Sequence, residues 1–127
     1  MAVQCTEAEW KIMEVLWEKS PKTMPEITQA LAPATGWTRH TVITLLKRMQ
    51  EKGSIRVEDG EKMKLYTPAI SREEASQSHT KRFLNHIFSG KASLLVQNLV
   101  NSGEISVQEM EEILLLIKKD REHKGGD

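Results

Sequence analysis

Apolar residues along the first half of this 127-residue chain recur at the spacing of amphipathic helices, with a capping residue ahead of each stripe. Trp10, Met13 and Trp17 fall at i, i+3 and i+7, Ile12, Val15 and Leu16 widen the stripe, and Thr6-Glu7-Ala8-Glu9 is a capping box in front of it. The pattern predicts a helix over 7–19, ended by Ser20-Pro21. Pro25 suits a first helical turn, and Ile27, Ala30 and Leu31 form a short apolar face before Ala32-Pro33 and Gly36 interrupt it, which predicts a second helix over 25–32. Thr38 caps a third over 39–52, with Val42, Leu45, Leu46 and Met49 as its buried stripe and Gly53 as its left-handed stop.

The period then changes from helical to extended. Ile55-Arg56-Val57 and Lys64-Leu65-Tyr66-Thr67 flank Glu58-Asp59-Gly60-Glu61, whose Asp-Gly pair is a hairpin turn signal. Ser71-Arg72-Glu73-Glu74 is a second capping box and opens a helix to Phe88, stopped by Ser89-Gly90. A short helix over 92–101 carries Leu94, Leu95, Leu99 and Val100, and a third capping box at Ser106–Glu109 precedes Met110, Ile113, Leu114 and Ile117.

Three helices followed directly by a hairpin is the element order of a winged helix-turn-helix. The expected fold is therefore mostly α with a small β-hairpin: a winged helix-turn-helix over residues 1–70, a C-terminal helical region over 71–122, and a flexible tail over 123–127. Residues 71–122 carry more apolar stripe than so short a segment can bury on itself, so a second copy of the chain is the economical partner. Phe83, Leu84, Ile87, Leu95, Leu99, Ile113, Leu114 and Ile117 are the candidate dimerisation residues.

Charge changes this picture only when it is read locally. The whole chain has 18 basic and 18 acidic residues and no net charge, which argues against a nucleic-acid partner. Between Thr38 and Arg56, however, five basic residues face the single acid Glu51, a net +4, whereas residues 1–26 carry −2. Burying the stripe of the third helix turns Arg39, His40, Ile43, Thr44, Lys47 and Arg48 outward. Residues near the start of such a helix reach base edges: Arg39 can bond guanine O6 and N7, His40 can donate, and Thr41 and Thr44 can bond a base or touch a thymine methyl. Lys47, Arg48 and Lys52, with Lys62 and Lys64 on the wing, are candidate phosphate contacts. Two plainer readings stand beside this one: a solvated basic helix face, and a winged helix that serves as a protein–protein module.

The remaining chemistry is sparse. The chain holds no Gly-rich phosphate loop, no clustered metal-ligand set and no His–acid–nucleophile group, so no catalytic residue, metal or cofactor is expected. His79 and His86 lie seven apart and could ligate a metal with nearby acids, although solvent-facing or interface histidines are the favoured reading. Cys5, the single cysteine, reads as a structural bystander, and Trp37 could pack or touch a DNA backbone. The longest apolar run, Ile113 to Ile117, is far short of a membrane span, and no signal or transit peptide is read at Met1, so no membrane insertion and a cytoplasmic location are expected.

Several stretches taken together resemble the penicillinase-repressor (BlaI/MecI-type) family over nearly the whole chain. They are Thr6-Glu7-Ala8-Glu9-Trp10-Lys11-Ile12-Met13 with Leu16-Trp17, Thr41 through Met49, Tyr66-Thr67-Pro68, Phe83-Leu84, and Ser93-Leu94-Leu95-Val96. The resemblance implies a homodimer that represses resistance genes by binding operator DNA until a membrane sensor-protease pathway signals a cell-wall antibiotic. It further implies release by proteolysis within the dimerisation region, which maps here to Asn98-Leu99, with Leu99 where the family has Phe. Control of the same fold by a ligand or metal is the alternative, although the copper-responsive branch is disfavoured because Lys118 to Asp127 contains no cysteine.

Overall fold

A computed structural model describes residues 3–125, and the side chains of residues 3–122. Six helices and one hairpin follow in the order α1 (Glu7–Glu18), α2 (Met24–Thr35), α3 (Arg39–Lys52), β1 (Ile55–Asp59), β2 (Lys64–Pro68), α4 (Arg72–Phe88), α5 (Ala92–Asn101) and α6 (Val107–Gly125). The chain divides into two compact units, one ending at Arg82 and the other beginning at Phe83.

The caps that mark the helix starts in the sequence are formed. Thr6 Oγ1 accepts from the Glu9 amide while a Glu9 carboxylate oxygen accepts from the Thr6 amide, each at 3.1 Å. Thr23 and Glu26 repeat the device at α2, which starts at Met24, one residue earlier than the sequence pattern suggests. Hydrogen bonds from the Thr23 amide and hydroxyl hold the exposed Glu26 carboxyl below the usual carboxylate range. α2 also runs through Pro33 to Thr35, beyond the expected stop at 32. A proline deletes only its own donor, and this last turn is closed instead by Gly36 N–H to Ala32 O at 2.9 Å and by the Thr35 hydroxyl to Leu31 O at 2.8 Å. Ala30, expected on the apolar face of α2, is exposed.

α3 occupies the expected residues, capped by Thr38 and stopped by Gly53, whose φ of 87° is the left-handed conformation that glycine adopts without steric cost. Its buried residues are Val42, Leu45, Leu46 and Met49. They join Ile12, Met13 and Leu16 of α1, Ile27 and Leu31 of α2, and Ile55 and Tyr66 of the hairpin in one core. The hairpin pairs Ile55 with Pro68 and Asp59 with Lys64 in antiparallel register. Gly60 closes the turn with an N–H to Met63 O at 2.9 Å. A Cβ at Gly60 would lie 2.4 Å from that same oxygen, so only glycine fits there.

Two features of this first unit are absent from the sequence pattern. Lys22, between α1 and α2, exchanges two backbone hydrogen bonds with Tyr66, at 2.8 and 3.1 Å, and so adds a short third rung to the hairpin. The first turns of α4 also belong here rather than with the C-terminal helices, because Ala75 is buried, His79 packs edge-on to Trp10 at 5.0 Å and Gln4 bonds Ser78. Arg72 lies over the Trp17 ring at 4.9 Å, and Trp17 Nε1 donates to Ile70 O. The structural division therefore falls inside α4, not at residue 70.

The second unit contains the end of α4 with α5 and α6. Phe83 and Phe88 meet edge-to-face at 5.8 Å, and Gly90 N–H closes the end of α4 on Leu84 O. None of residues 83–122 is buried. Leu84, Phe88, Leu95, Leu99 and Met110 are half-buried, while Phe83, Ile87, Leu94, Val100 and the run Ile113 to Ile117 are exposed. α6 continues helically to Gly125, into the expected tail, of which residues 126–127 lie outside the described residues. Among the described residues no helix is long and apolar enough to cross a membrane.

Candidate nucleic-acid interface

With one stripe of α3 sunk in the core, the 3.6-residue period presents the opposite face. Arg39, His40, Thr44, Lys47 and Arg48 are exposed, and Thr41 and Ile43 are half-buried at the edges of that face. None of the charged groups among them forms an ion pair with a described residue. Two of the threonines are partly committed: the Thr44 hydroxyl donates to His40 O at 2.9 Å, leaving its methyl and lone pairs outward, and Thr41 approaches the Thr38 hydroxyl at 3.5 Å. Lys62 and Lys64 are exposed on the hairpin beside this face. Trp37 is half-buried and packs against the core.

Lys52 departs from the expectation of a phosphate contact. Its ammonium is 2.7 Å from Glu9 Oε1 and 3.2 Å from Gln4 O, so it points back to α1. The Glu9 side chain is 0% exposed, and its second oxygen has no hydrogen-bond partner among the described residues. A carboxylate in that position requires a nearby cation, and Lys52 is held there in consequence. The burial of Glu9 is legible in hindsight, since residues 9, 12, 13 and 16 share one face of α1, the face that carries Ile12, Met13 and Leu16. Cys5 lies buried beside this pair. Burial pushes its thiol up, Glu9 adds to the shift and Lys52 opposes it, so the group stays protonated and inert.

An open hollow of about 550 Å³ adjoins the outer face of α3, bounded by Met24 and Ala32 of α2, Arg39 and Ile43 of α3, and Lys64 and Tyr66 of the hairpin. Tyr66 is 7% exposed, and burial pushes its phenol above the usual tyrosine range. Nothing in the periodicity of any single element announces this hollow, because three elements build it.

His79 is packed against Trp10, and its Nε2 has no partner among the described residues; His86 is exposed. Among the described residues, no three His, Cys, Asp or Glu side chains converge to hold a metal ion.

This architecture, an α3 with a free polar and basic face flanked by a hairpin, is that of the winged helix-turn-helix proteins. A sequence model of the penicillinase repressor family matches residues 5–119, and the chain belongs to that family. The family is one of DNA-binding transcriptional repressors, not of enzymes. The chain is 25% identical to the penicillinase repressor of Bacillus licheniformis over 121 residues, 95% of this chain and 94% of that protein. It is 26% identical to the methicillin resistance regulatory protein MecI of Mammaliicoccus sciuri over 116 residues, 91% and 94% of the two chains. Its fold is similar to the solution structure of the DNA-binding domain of the repressor BlaI, with a TM-score of 0.53, and to that of monomeric Bacillus licheniformis BlaI in complex with the blaP half-operator, with a TM-score of 0.52, each at 27% identity and covering 58% of this chain and 90% of that one.

The diverted ammonium of Lys52 has a measurable consequence. Lys52→Ala leaves a buried carboxylate without its cation and is expected to lower stability by about 2–4 kcal/mol, whereas Lys47→Ala on the free face should change it by less than about 0.5 kcal/mol. Urea denaturation of both variants checks this; equal stabilities would remove the structural role assigned to Lys52.

Proposed function

We propose that this chain is a cytoplasmic homodimeric transcriptional repressor that binds an inverted-repeat operator through α3 and the hairpin. The carrying observation is the exposed face of α3, on which Arg39, His40, Thr44, Lys47 and Arg48 stand outward with no ion-pair partner among the described residues. Arg39, His40, Thr41 and Thr44 lie in the first turns, where a recognition helix meets base edges. Lys47 and Arg48 further along, with Lys62 and Lys64 on the hairpin, meet phosphates and set affinity. Lys52 takes no part, being engaged by Glu9. The half-operator bound by the related BlaI supports the same partner class for this chain.

The second unit supports the dimer. A segment in which none of residues 83–122 is buried, and in which five consecutive apolar residues from Ile113 to Ile117 are exposed, gains most by packing against a copy of itself. Two heads joined in this way engage half-sites a helical turn apart, about 34 Å, and add their binding free energies. Phe83, Leu84, Ile87, Leu95, Leu99, Ile113, Leu114 and Ile117 are the proposed contact residues. Release follows a cut at Asn98-Leu99, signalled through a membrane sensor-protease pathway. Asn98 is exposed and Leu99 half-buried within α5, so severing this bond splits the helix that carries Leu95 and Leu99.

Arg39→Ala is expected to reduce discrimination between operator and random DNA, while Lys47→Ala weakens both alike and lowers the slope of log affinity against log salt by roughly one. Titration of fluorescent duplexes at several salt concentrations checks both, and identical behaviour of the two variants would contradict the division of roles. Leu114→Glu, a change at a side chain exposed in the single chain, is expected to give a folded monomer in sedimentation equilibrium with operator affinity reduced by about 100-fold or more. A Leu114→Glu protein that still sediments as a dimer would exclude this face. Cells treated with a β-lactam should accumulate a fragment ending at Asn98 on immunoblots; derepression with the chain intact rules out the cut.

A further inference from the structure

The hollow between α2, α3 and the hairpin has the properties of a ligand site rather than of a groove left over by packing. Its volume of about 550 Å³ lies within the roughly 300–1,000 Å³ range of small-molecule pockets. Met24, Pro25, Ile43 and Met63 make an apolar wall, and Met63 is 52% exposed although it is a large hydrophobe on a hairpin otherwise rich in charge. Two cations, Arg39 and Lys64, stand at the same hollow, and neither is in an ion pair with a described residue. Tyr66, almost wholly buried, also lines it, and its hydroxyl makes no hydrogen bond to any described residue.

We propose that this hollow binds a small amphipathic carboxylate, with an aromatic or branched aliphatic body, and that its occupancy excludes DNA from α3 and the hairpin. The apolar body covers the Met24, Pro25, Ile43 and Met63 wall, which a purely ionic ligand leaves in water. The carboxylate takes the two free cations and the Tyr66 hydroxyl, which a neutral ligand leaves unused. The exclusion follows because Arg39 and Lys64 are the same side chains assigned above to a base edge and a phosphate. A bound anion both neutralises them and occupies the space beside α3. This step rests on the proposed reading of α3 and the hairpin as the DNA-contacting surface.

The test uses the full-length chain labelled with 13C at the methionine methyls, with 2-naphthoate as probe and 2-naphthamide as its neutral counterpart. The expected result is a saturable shift of the Met24 and Met63 methyl signals with 2-naphthoate, none at the fully buried Met13 and Met49, and much weaker shifts with the amide. At about ten times its Kd, 2-naphthoate should raise the apparent Kd for operator DNA about tenfold. Ala32→Leu narrows the hollow from an exposed position on α2 and leaves both cations in the chain. It should weaken the methyl shifts, keep operator affinity without ligand within about twofold, a surface change of little energetic consequence, and make that affinity less sensitive to 2-naphthoate. Absence of shifts at Met24 and Met63, equal binding of the amide, undiminished binding to Ala32→Leu, or binding that leaves operator affinity unchanged each overturns the proposal. If the chain does not bind operator DNA at all, the reading of α3 fails instead, and the methyl shifts still decide whether the hollow is a site.

Discussion

The whole exposed face of α3 follows from sinking its Val42, Leu45, Leu46 and Met49 into a core shared with Ile12, Met13 and Leu16 of α1. Burial of side chains of this size is favourable by roughly 1.5–3 kcal/mol each, so the rotation of α3 about its own axis is set by several such contributions at once. A rotation that exposed this stripe would also bury the charged Arg48 and Lys47. The Glu9–Lys52 pair completes the arrangement at the far end of the helix: the buried carboxylate of α1 holds the last residue of α3, where a cation also suits the negative end of the helix dipole. The exposed face is thus a consequence of the core, and the core leaves no freedom to choose another.

That constraint reconciles a chain of zero net charge with a polyanionic partner. The positive charge is concentrated on one helix and its neighbouring hairpin, and one of its cations is withdrawn to neutralise Glu9. What remains on a single head is a modest electrostatic contribution, and in the proposed dimer the unburied second unit supplies the remedy by bringing two heads together. Affinity and control are separated in that proposal: the head reads DNA, while the apolar faces of α5 and α6 set how many heads act at once.

The hollow beside α3 places a second demand on two of the same side chains. Arg39 and Lys64 stand where an apolar wall meets the outer face of α3, so on the two proposed readings a carboxylate and a DNA strand compete for them directly. Such competition needs no conformational change, only the overlap of two sets of contacts.

The elements themselves were legible in the sequence because they depend on neighbours within a turn or two. Thr38 and Gly53 bound α3 to the residue, Asp59-Gly60 marks the hairpin turn, and Thr6 with Glu9 starts α1, all through contacts between residues no more than five apart. The stripe of α3 likewise identified Arg39, His40, Thr44, Lys47 and Arg48 as outward. Tertiary structure alone decided that Lys52 turns back to Glu9 across 43 positions, that Lys22 joins Tyr66 as a third rung, and that the start of α4 packs on Trp10 and Trp17 with the head. It alone decided the hollow, whose walls come from three elements. The reason is physical: a cap or a turn is satisfied by atoms close along the chain, whereas a buried carboxylate or a cavity is defined by whichever distant residues the packed core brings beside it.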